Sequence, residues 1–347
     1  MNKTYRLVWN DRLAAYVAVA ETAKGRGKRT VRAGALAAVF MAAVGLGAPC
    51  ALAGPPGLPV APTPTQLPNG GRVVGGQAGI EQSGSTLNIN QSTNRAAIDW
   101  ATFNVGRAAQ VNFNQPGASS VTLNRVLDSN PSQIFGRISA NGQVFLSNPN
   151  GVYFSPTASV DVGALVATTH SISLADFMAG KTTFERNGAT ASVVNEGQLK
   201  AALGGYIALL APEVRNSGVI VANLGTVALA AGEAFELQFD SNNTLANIRV
   251  TPATIAALVE NKSAVLAPGG LIILSAQALN RVQGGVVKNS GRLEASGMSL
   301  RGGKIVLSAS DKIENSGSIS ANAAADGPAG KIEISAPEVL KDRRAHV

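Results

Sequence analysis

Hydrophobic and polar positions alternate in short bursts along the second half of this chain, and the bursts recur. GGYIALLAPEV at 204–214 and AGKIEISAPEV at 329–339 share Gly, Ile, Ala, Pro, Glu and Val in register, and GGLIILSA at 269–276 agrees with GGKIVLSA at 302–309 at six of eight positions. Alternation sends every second side chain to one face of a strand. The pairs Ile207/Leu209, Val227/Leu229, Ile272/Leu274, Ile305/Leu307 and Ile332/Ile334 therefore each point one way. Stacked coils would align them into continuous aliphatic ladders. Asn-x-Gly turns recur at Asn195, Asn216, Asn223, Asn289 and Asn315, and Gly205 to Gly225 spans 20 residues, about one coil of a β-helix. Upstream, alternating segments at 86–90, 109–114 and 142–146 read as further strands. The pattern predicts an all-β chain: a right-handed parallel β-helix (solenoid) with small capping strands and short helical turns. Gly and Asn are expected at the corners, in backbone conformations with positive φ.

Two segments break the rhythm. SLADFMAG at 173–180 predicts a helical turn, with Ser173 as cap and Asp176 three residues on. TPATIAALVE at 251–260, inside a lapse from 232 to 268, predicts a short helix capped by Thr251 with Pro252 at its first position.

Composition changes this picture little. Residues 241–347 contain no Phe, Trp or Tyr, which suits a narrow interior filled by Val, Ile, Leu and Ala. The formal charge of +8 suggests a nucleic-acid surface until it is located. Residues 1–53 hold eight Lys/Arg against Asp11 and Glu21, leaving 21 basic and 19 acidic residues for the remainder. No nucleic-acid partner is expected. The single cysteine, Cys50, excludes disulfide staples and thiolate metal sites.

The basic residues belong to an export signal. An uncharged run, AGALAAVFMAAVGLGA at 33–48, follows Lys24–Arg32, and Ala51-Leu52-Ala53 supplies the small-x-small pattern a signal peptidase accepts, with cleavage after Ala53. Sixteen residues rich in Ala and Gly are short for a bilayer span of about 20. Ahead of it stands an amphipathic module, MNKTYRLVWNDRLAAYVAVAETAKGRGKR, which resembles the extended signal-peptide region of very large bacterial exoproteins and autotransporters. That resemblance implies a Gram-negative source and slowed inner-membrane targeting. After Ala53, GPPGLPVAPTPTQLP places six prolines in fifteen residues and reads as an extended leader. The expected organisation is an extended signal region with basic segment (1–32), an apolar signal core and cleavage site (33–53), a Pro-rich leader (54–70), a first β-helical domain with its cap (71–200), β-helix repeats (201–340) and a charged tail (341–347). Folding is expected to begin near Gly71.

Residues 99–169 carry the most specific pattern: DWATFNVG, then VNFNQPGASSVTLNRV, then PSQIFGRISANGQVFLSNPNGVYFSPTASVDVGALVATT. In this order the motifs resemble the haemagglutination-activity, or two-partner-secretion, domain of filamentous-haemagglutinin-type exoproteins, and in particular the high-molecular-weight adhesin branch. The resemblance covers roughly residues 70–340 plus the extended signal. It rests on Asn124-Arg125, on Asn141-Gly142 and on an intact Asn148-Pro149-Asn150-Gly151. Read from residue types, the last is a turn in which Pro149 fixes φ, Asn150 tolerates a left-handed conformation and Gly151 accommodates the exit. The resemblance adds secretion competence, without separating folding from recognition. It implies an outer-membrane transporter partner (a β-barrel with periplasmic recognition domains), signal peptidase and Sec machinery, secretion or surface display, and an adhesin-like role toward a host-cell or surface ligand. Members of that family run far longer than 347 residues. A truncated secretion domain without adhesive activity is one alternative.

The other alternative is a β-helical polysaccharide-binding or lyase-type protein, which needs clustered carboxylates on one solenoid face. Glu233, Glu236 and Asp240 are the one tight acidic run there. No cofactor and no catalytic residue are expected. The histidines, His170 and His346, have no metal-binding spacing, and Ser155, Asp161 and His170 lack a nucleophile-elbow context.

Overall fold

The computed structural model describes residues 60–241, 243–297, 302–323 and 327–342, and the backbone of two strands near the N-terminus. The first 50 residues form one unit, in which Tyr5–Asn10 and Ala15–Ala20 pair antiparallel, from Tyr5 opposite Ala20 to Asn10 opposite Ala15. The apolar signal core, Cys50, Ala51, Ala53, residues 54–59 and His346 lie outside the described residues.

The second unit is a parallel β-helix. Among the described residues, three sheets of ten, ten and eight strands run along it, and the chain visits them in turn. One coil shows the circuit: Arg137–Ala140 in the first sheet, Gln143–Ser147 in the second, Val152–Phe154 in the third, then Ser159–Val162 back in the first. The expected aliphatic ladders are present. One interior row of the second sheet reads Val144, Leu165, Ile207, Val227, Ile272, Ile305, Ile332, and its neighbour Leu146, Ala167, Leu209, Leu229, Leu274, Leu307, Ile334. From Val144 to Leu307 these side chains are essentially inaccessible, each Val, Ile or Leu so buried being worth about 1.5–3 kcal/mol.

The corners differ from expectation in a physically instructive way. Asn195, Asn216, Asn289 and Asn315 stand in one buried column, but none has positive φ. They are there for their amides. Nδ2 of Asn195 donates to Oδ1 of Asn216 (2.8 Å), Asn216 to Asn261 (2.8 Å), Asn261 to Asn289 (2.8 Å) and Asn289 to Asn315 (2.7 Å). Asn261, followed by Lys-Ser, completes the column. Asn223 stands apart from it and contributes its backbone carbonyl to Gly204 N–H. The glycines divide into two jobs. Gly204 has φ +75°, a turn conformation, whereas Gly205 lacks a side chain because the carbonyl of Gly163 in the coil below occupies the place of a Cβ. Gly225, Gly270, Gly303 and Gly330 continue that close-packed column, each over the carbonyl of the glycine before it.

The outer face of the third sheet carries a charged column in which Arg215, Glu260, Lys288 and Glu314 are successive register partners. Arg215 pairs with Glu260 at 2.9 Å and Lys288 with Glu314 at 3.2 Å.

The expected helix over 251–260 is absent. Leu245–Thr251 and Ala257–Asn261 are strands, because Ala257 and Val259 alternate into the interior and Asn261 joins the amide column. The helical turn at 173–180 is present as Leu174–Met178, with the Ser173 hydroxyl accepting from Asp176 N–H. This helix and an antiparallel sheet of Thr183–Glu185, Ala234–Phe239 and Leu245–Thr251 cover the outer face of the second sheet. Phe145, Phe177, Phe184, Tyr206, Phe235 and Leu237 make a second core beneath the cover. Arg95 fastens the helix, its guanidinium 5.1 Å from the Phe177 ring centroid and its Nη1 donating to the Phe177 carbonyl at 3.1 Å.

Packing begins before Gly71. Gly106 N–H bonds to the Gln66 carbonyl (2.8 Å), Ala108 N–H to the Pro64 carbonyl (2.7 Å), and Leu67 is buried. Antiparallel strands Arg72–Gly75 and Ala78–Ser83 close the ends of the second and first sheets, as capping strands must to protect an open edge.

Candidate secretion signature

Asn148 is fully buried at the end of the strand Gln143–Ser147. Its backbone N–H bonds forward to the Thr168 carbonyl (2.9 Å), and its Nδ2 bonds backward to the Asn130 carbonyl and the Ser132 hydroxyl (both 3.0 Å). Its Oδ1 accepts from Asn150 N–H (2.9 Å), and its carbonyl accepts from Gly151 N–H (3.0 Å). The side chain thus closes its own turn and ties it to the preceding pass, while the backbone N–H ties it to the next. The left-handed residue is Gly151, at φ +113°, rather than Asn150. Asn150 has no need of that conformation, since the Asn148 carboxamide already fixes the turn. Pro149 and Asn150 form the exposed tip, and Asn150 Nδ2 donates to the Asp128 carbonyl at 2.7 Å.

The remaining signature residues are also linked to neighbouring coils. Asn124 points into the interior among the aliphatic rows, where Trp100 Nε1 donates to its Oδ1 (2.9 Å) and its Nδ2 reaches the Phe145 carbonyl (3.2 Å). A buried indole N–H needs such an acceptor. Arg125 lies on the other face of the strand and grips Asp99 with two bonds, of 2.7 and 3.0 Å. Asn141 brackets Gln115, accepting from its N–H (2.8 Å) and donating to its carbonyl (2.7 Å). Gly142 N–H donates to the Gln115 side chain (2.9 Å), where a Cβ would collide with that same oxygen. Gln115 also bonds Thr122, which bonds Gln91, so polar side chains join neighbouring coils where the first sheet passes to the second.

Asp128, Asn130, Ser132, Thr168, Gln115 and Trp100 were not legible as members of this site. One clue existed: Asn130-Pro131-Ser132 precedes Asn148-Pro149-Asn150 by 18 residues, about one coil.

A groove of about 580 Å³ lies beside the turn, with Asn150, Gly151, Tyr153, Ser192, Glu196 and Arg215 on its walls. Burial pushes the Tyr153 hydroxyl well above the usual phenol range, and its hydrogen bond to Glu196 adds to the shift.

The residues weighed for catalysis are engaged elsewhere. The Ser155 hydroxyl bonds Thr157, Asp161 pairs with Lys200 at 3.3 Å, and His170 Nε2 lies 3.1 Å from the Gly232 carbonyl. Glu233, Glu236 and Asp240 lie on the covering hairpin rather than on a solenoid face. Glu233 pairs with Arg186 (3.0 Å), Glu236 with Arg249 (3.3 Å), and Asp240 Oδ1 accepts from Thr244 N–H. Among the described residues, no group of three or more His, Cys, Asp or Glu is placed to hold a metal ion, and no helix is long and apolar enough to cross a membrane.

Comparison with known proteins agrees with this geometry. Residues 65–321 match the family model of the TPS secretion domain, and residues 1–50 match that of the Extended Signal Peptide of Type V secretion system. Two curated relatives from Haemophilus influenzae are each named heme/hemopexin-binding protein. One is 34% identical over 252 residues (71% of this chain, 27% of the relative), and the other 30% identical over 280 residues (74% and 30%). The chain thus spans less than a third of the length of these relatives. The crystal structure of the HMW1 secretion domain from Haemophilus influenzae superposes with a TM-score of 0.66 at 26% identity, covering 80% of this chain and 82% of that one.

Proposed function

Because the chain belongs to the two-partner-secretion exoproteins, with a TPS secretion domain behind an extended signal peptide, we propose that the Asn148–Gly151 turn makes this domain competent for export by locking consecutive coils together. Membership brings Sec-dependent export, signal-peptide processing, a cognate outer-membrane transporter, and secretion or surface display. The finer mechanism is our reading. A transporter built of a β-barrel and periplasmic recognition domains takes the chain unfolded, and coils added one by one outside the cell draw the rest across. A one-dimensional solenoid suits that route, since each coil needs only its neighbour.

The observation that carries this reading is the position of Asn148, buried and bonded to the passes before and after it. Within the folded turn, Pro149 and Asn150 are the exposed residues. The test is co-expression with the cognate transporter, measuring the exported fraction and the urea midpoint of the purified domain. Asn148→Ala is expected to lose most export and to lower the midpoint. Asn150→Ala is expected to reduce export with a smaller change in midpoint. Wild-type export of both variants would remove the role assigned to the turn.

Past the outer membrane, the reading is a non-catalytic adhesin-like exoprotein with a host-cell or surface ligand. The names of the curated relatives supply a second reading, haem or hemopexin binding. Among the described residues the one histidine, His170, is buried against Gly232. Haem titration of the exported chain, followed by its absorption spectrum, separates the two.

A further inference from the structure

His170 sits where the covering layer meets the solenoid, and its surroundings come from both. It follows the strand Ala164–Thr168 of the second sheet, and its backbone N–H bonds back to the Thr168 hydroxyl at 2.9 Å while its carbonyl accepts from Ser147 Oγ at 2.8 Å. Its ring faces the hairpin, 4.6 Å from the Phe235 ring, with Nε2 3.1 Å from the Gly232 carbonyl. A carbonyl there requires Nε2 to carry the proton. Nδ1 lies 3.4 Å from the Thr169 hydroxyl and is left with the acceptor role. The neutral ring is fully served, and a second proton would have to sit on Nδ1 in a fully buried site.

The charged groups around the ring offer no compensation. Arg186, beside Thr183–Glu185, and Glu233, at the start of the hairpin, are the ones that act on it, and they neutralise each other at 3.0 Å. Glu185 meets the segment through backbone bonds to Ser171.

We propose that His170 is an acid-released latch: its neutral ring holds the hairpin of Ala234–Phe239 and Leu245–Thr251 against the second sheet, and its protonation frees that hairpin while the solenoid stays folded. The layers differ in what holds them. The solenoid strands are tied on both sides by parallel ladders, whereas the hairpin meets the solenoid through side chains such as Phe235, Leu237 and Ile248 and through a few bonds such as Thr226 Oγ1 to the Leu245 carbonyl. Release would uncover the apolar face around Phe145, Val166, Ala208 and Ala228.

The direction of the pH effect follows from burial, the main cause, which lowers the His170 pKa from 6.5 to about 4. A folded-state value below the free one means that the docked state is fully favoured above pH 6.5 and loses ground as pH falls from 6.5 toward 4.

Hydrogen exchange on the exported chain tests the latch. Between pH 7.5 and pH 5, amides of 234–239 and 245–251 are expected to lose about 30-fold in protection after correction for intrinsic rates. Those of Thr226–Ala231 should keep theirs. His170→Gln retains an amide N–H for Gly232 but cannot titrate, and its hairpin protection should be flat across that range. An equal loss in the His170→Gln variant would overturn the proposal. So would wild-type hairpin protection that stays constant, or that falls only together with the strand Thr226–Ala231.

Discussion

The two ends of this solenoid are built on different plans. From Thr86 to His170 the interior holds Trp100, Phe103 and Phe113, and the coils are joined by side-chain bonds of several different kinds, among them Trp100 to Asn124, Gln115 to Asn141, and Asn148 to Asn130 and Ser132. From Asn195 onward the interior is aliphatic, and one bond repeats from coil to coil along the asparagine column. The first plan specifies a particular neighbour for each coil. The second makes coils nearly interchangeable. A segment that must fold first and in one way needs the former, and a segment that only extends an existing template can use the latter.

The largest break in the comparison is expected at the close-packed glycines of the regular half. A Cβ on Gly225 would fall on the carbonyl oxygen of Gly205, a backbone atom that cannot step aside. Gly225→Ala should cost about 3 kcal/mol or more, read as the urea midpoint of the purified domain. An unchanged midpoint would mean that adjacent coils separate freely. Next in size are the amide columns. Asn289→Ala removes two bonds and leaves two buried amides half-paired, for about 1–3 kcal/mol in equilibrium unfolding. Its effect should remain with the adjacent coils in hydrogen exchange, whereas Asn148→Ala should loosen the turn 148–151 together with the 130–132 segment it bonds. If both spread equally, the two plans are not distinct. The smallest effect is a gain. Leu224 holds φ +51° and is exposed, so Leu224→Gly should be neutral or stabilising by up to about 1 kcal/mol in the same unfolding measurement.

The regular half was legible because its rule is local. Alternation in Ile207/Leu209 and its counterparts gives strand, face and register together, and the observed rows match. The irregular half was legible only through its resemblance to a family, since nothing near Asn148 announces Asn130 or Thr168 as its partners. Asn-x-Gly suggested turns with positive φ, and the true reason for Asn195, Asn216, Asn289 and Asn315, an amide bond between coils, lies in a dimension that one coil does not contain. The stretch TPATIAALVE misled for a related reason. Its helical cap signal is local, but the template of Glu213–Asn216 beside it decides the outcome in favour of a strand.

The charged column on the third sheet has a further consequence. Aliphatic rows and asparagines accept any coil against any other, so neither can detect that a coil has been skipped during growth. Arg215, Glu260, Lys288 and Glu314 alternate in sign. Omitting one coil would set Arg215 against Lys288, or Glu260 against Glu314, replacing attraction with repulsion at adjacent strands. The column therefore works as a parity check on the order of assembly, because each of its charges opposes the next.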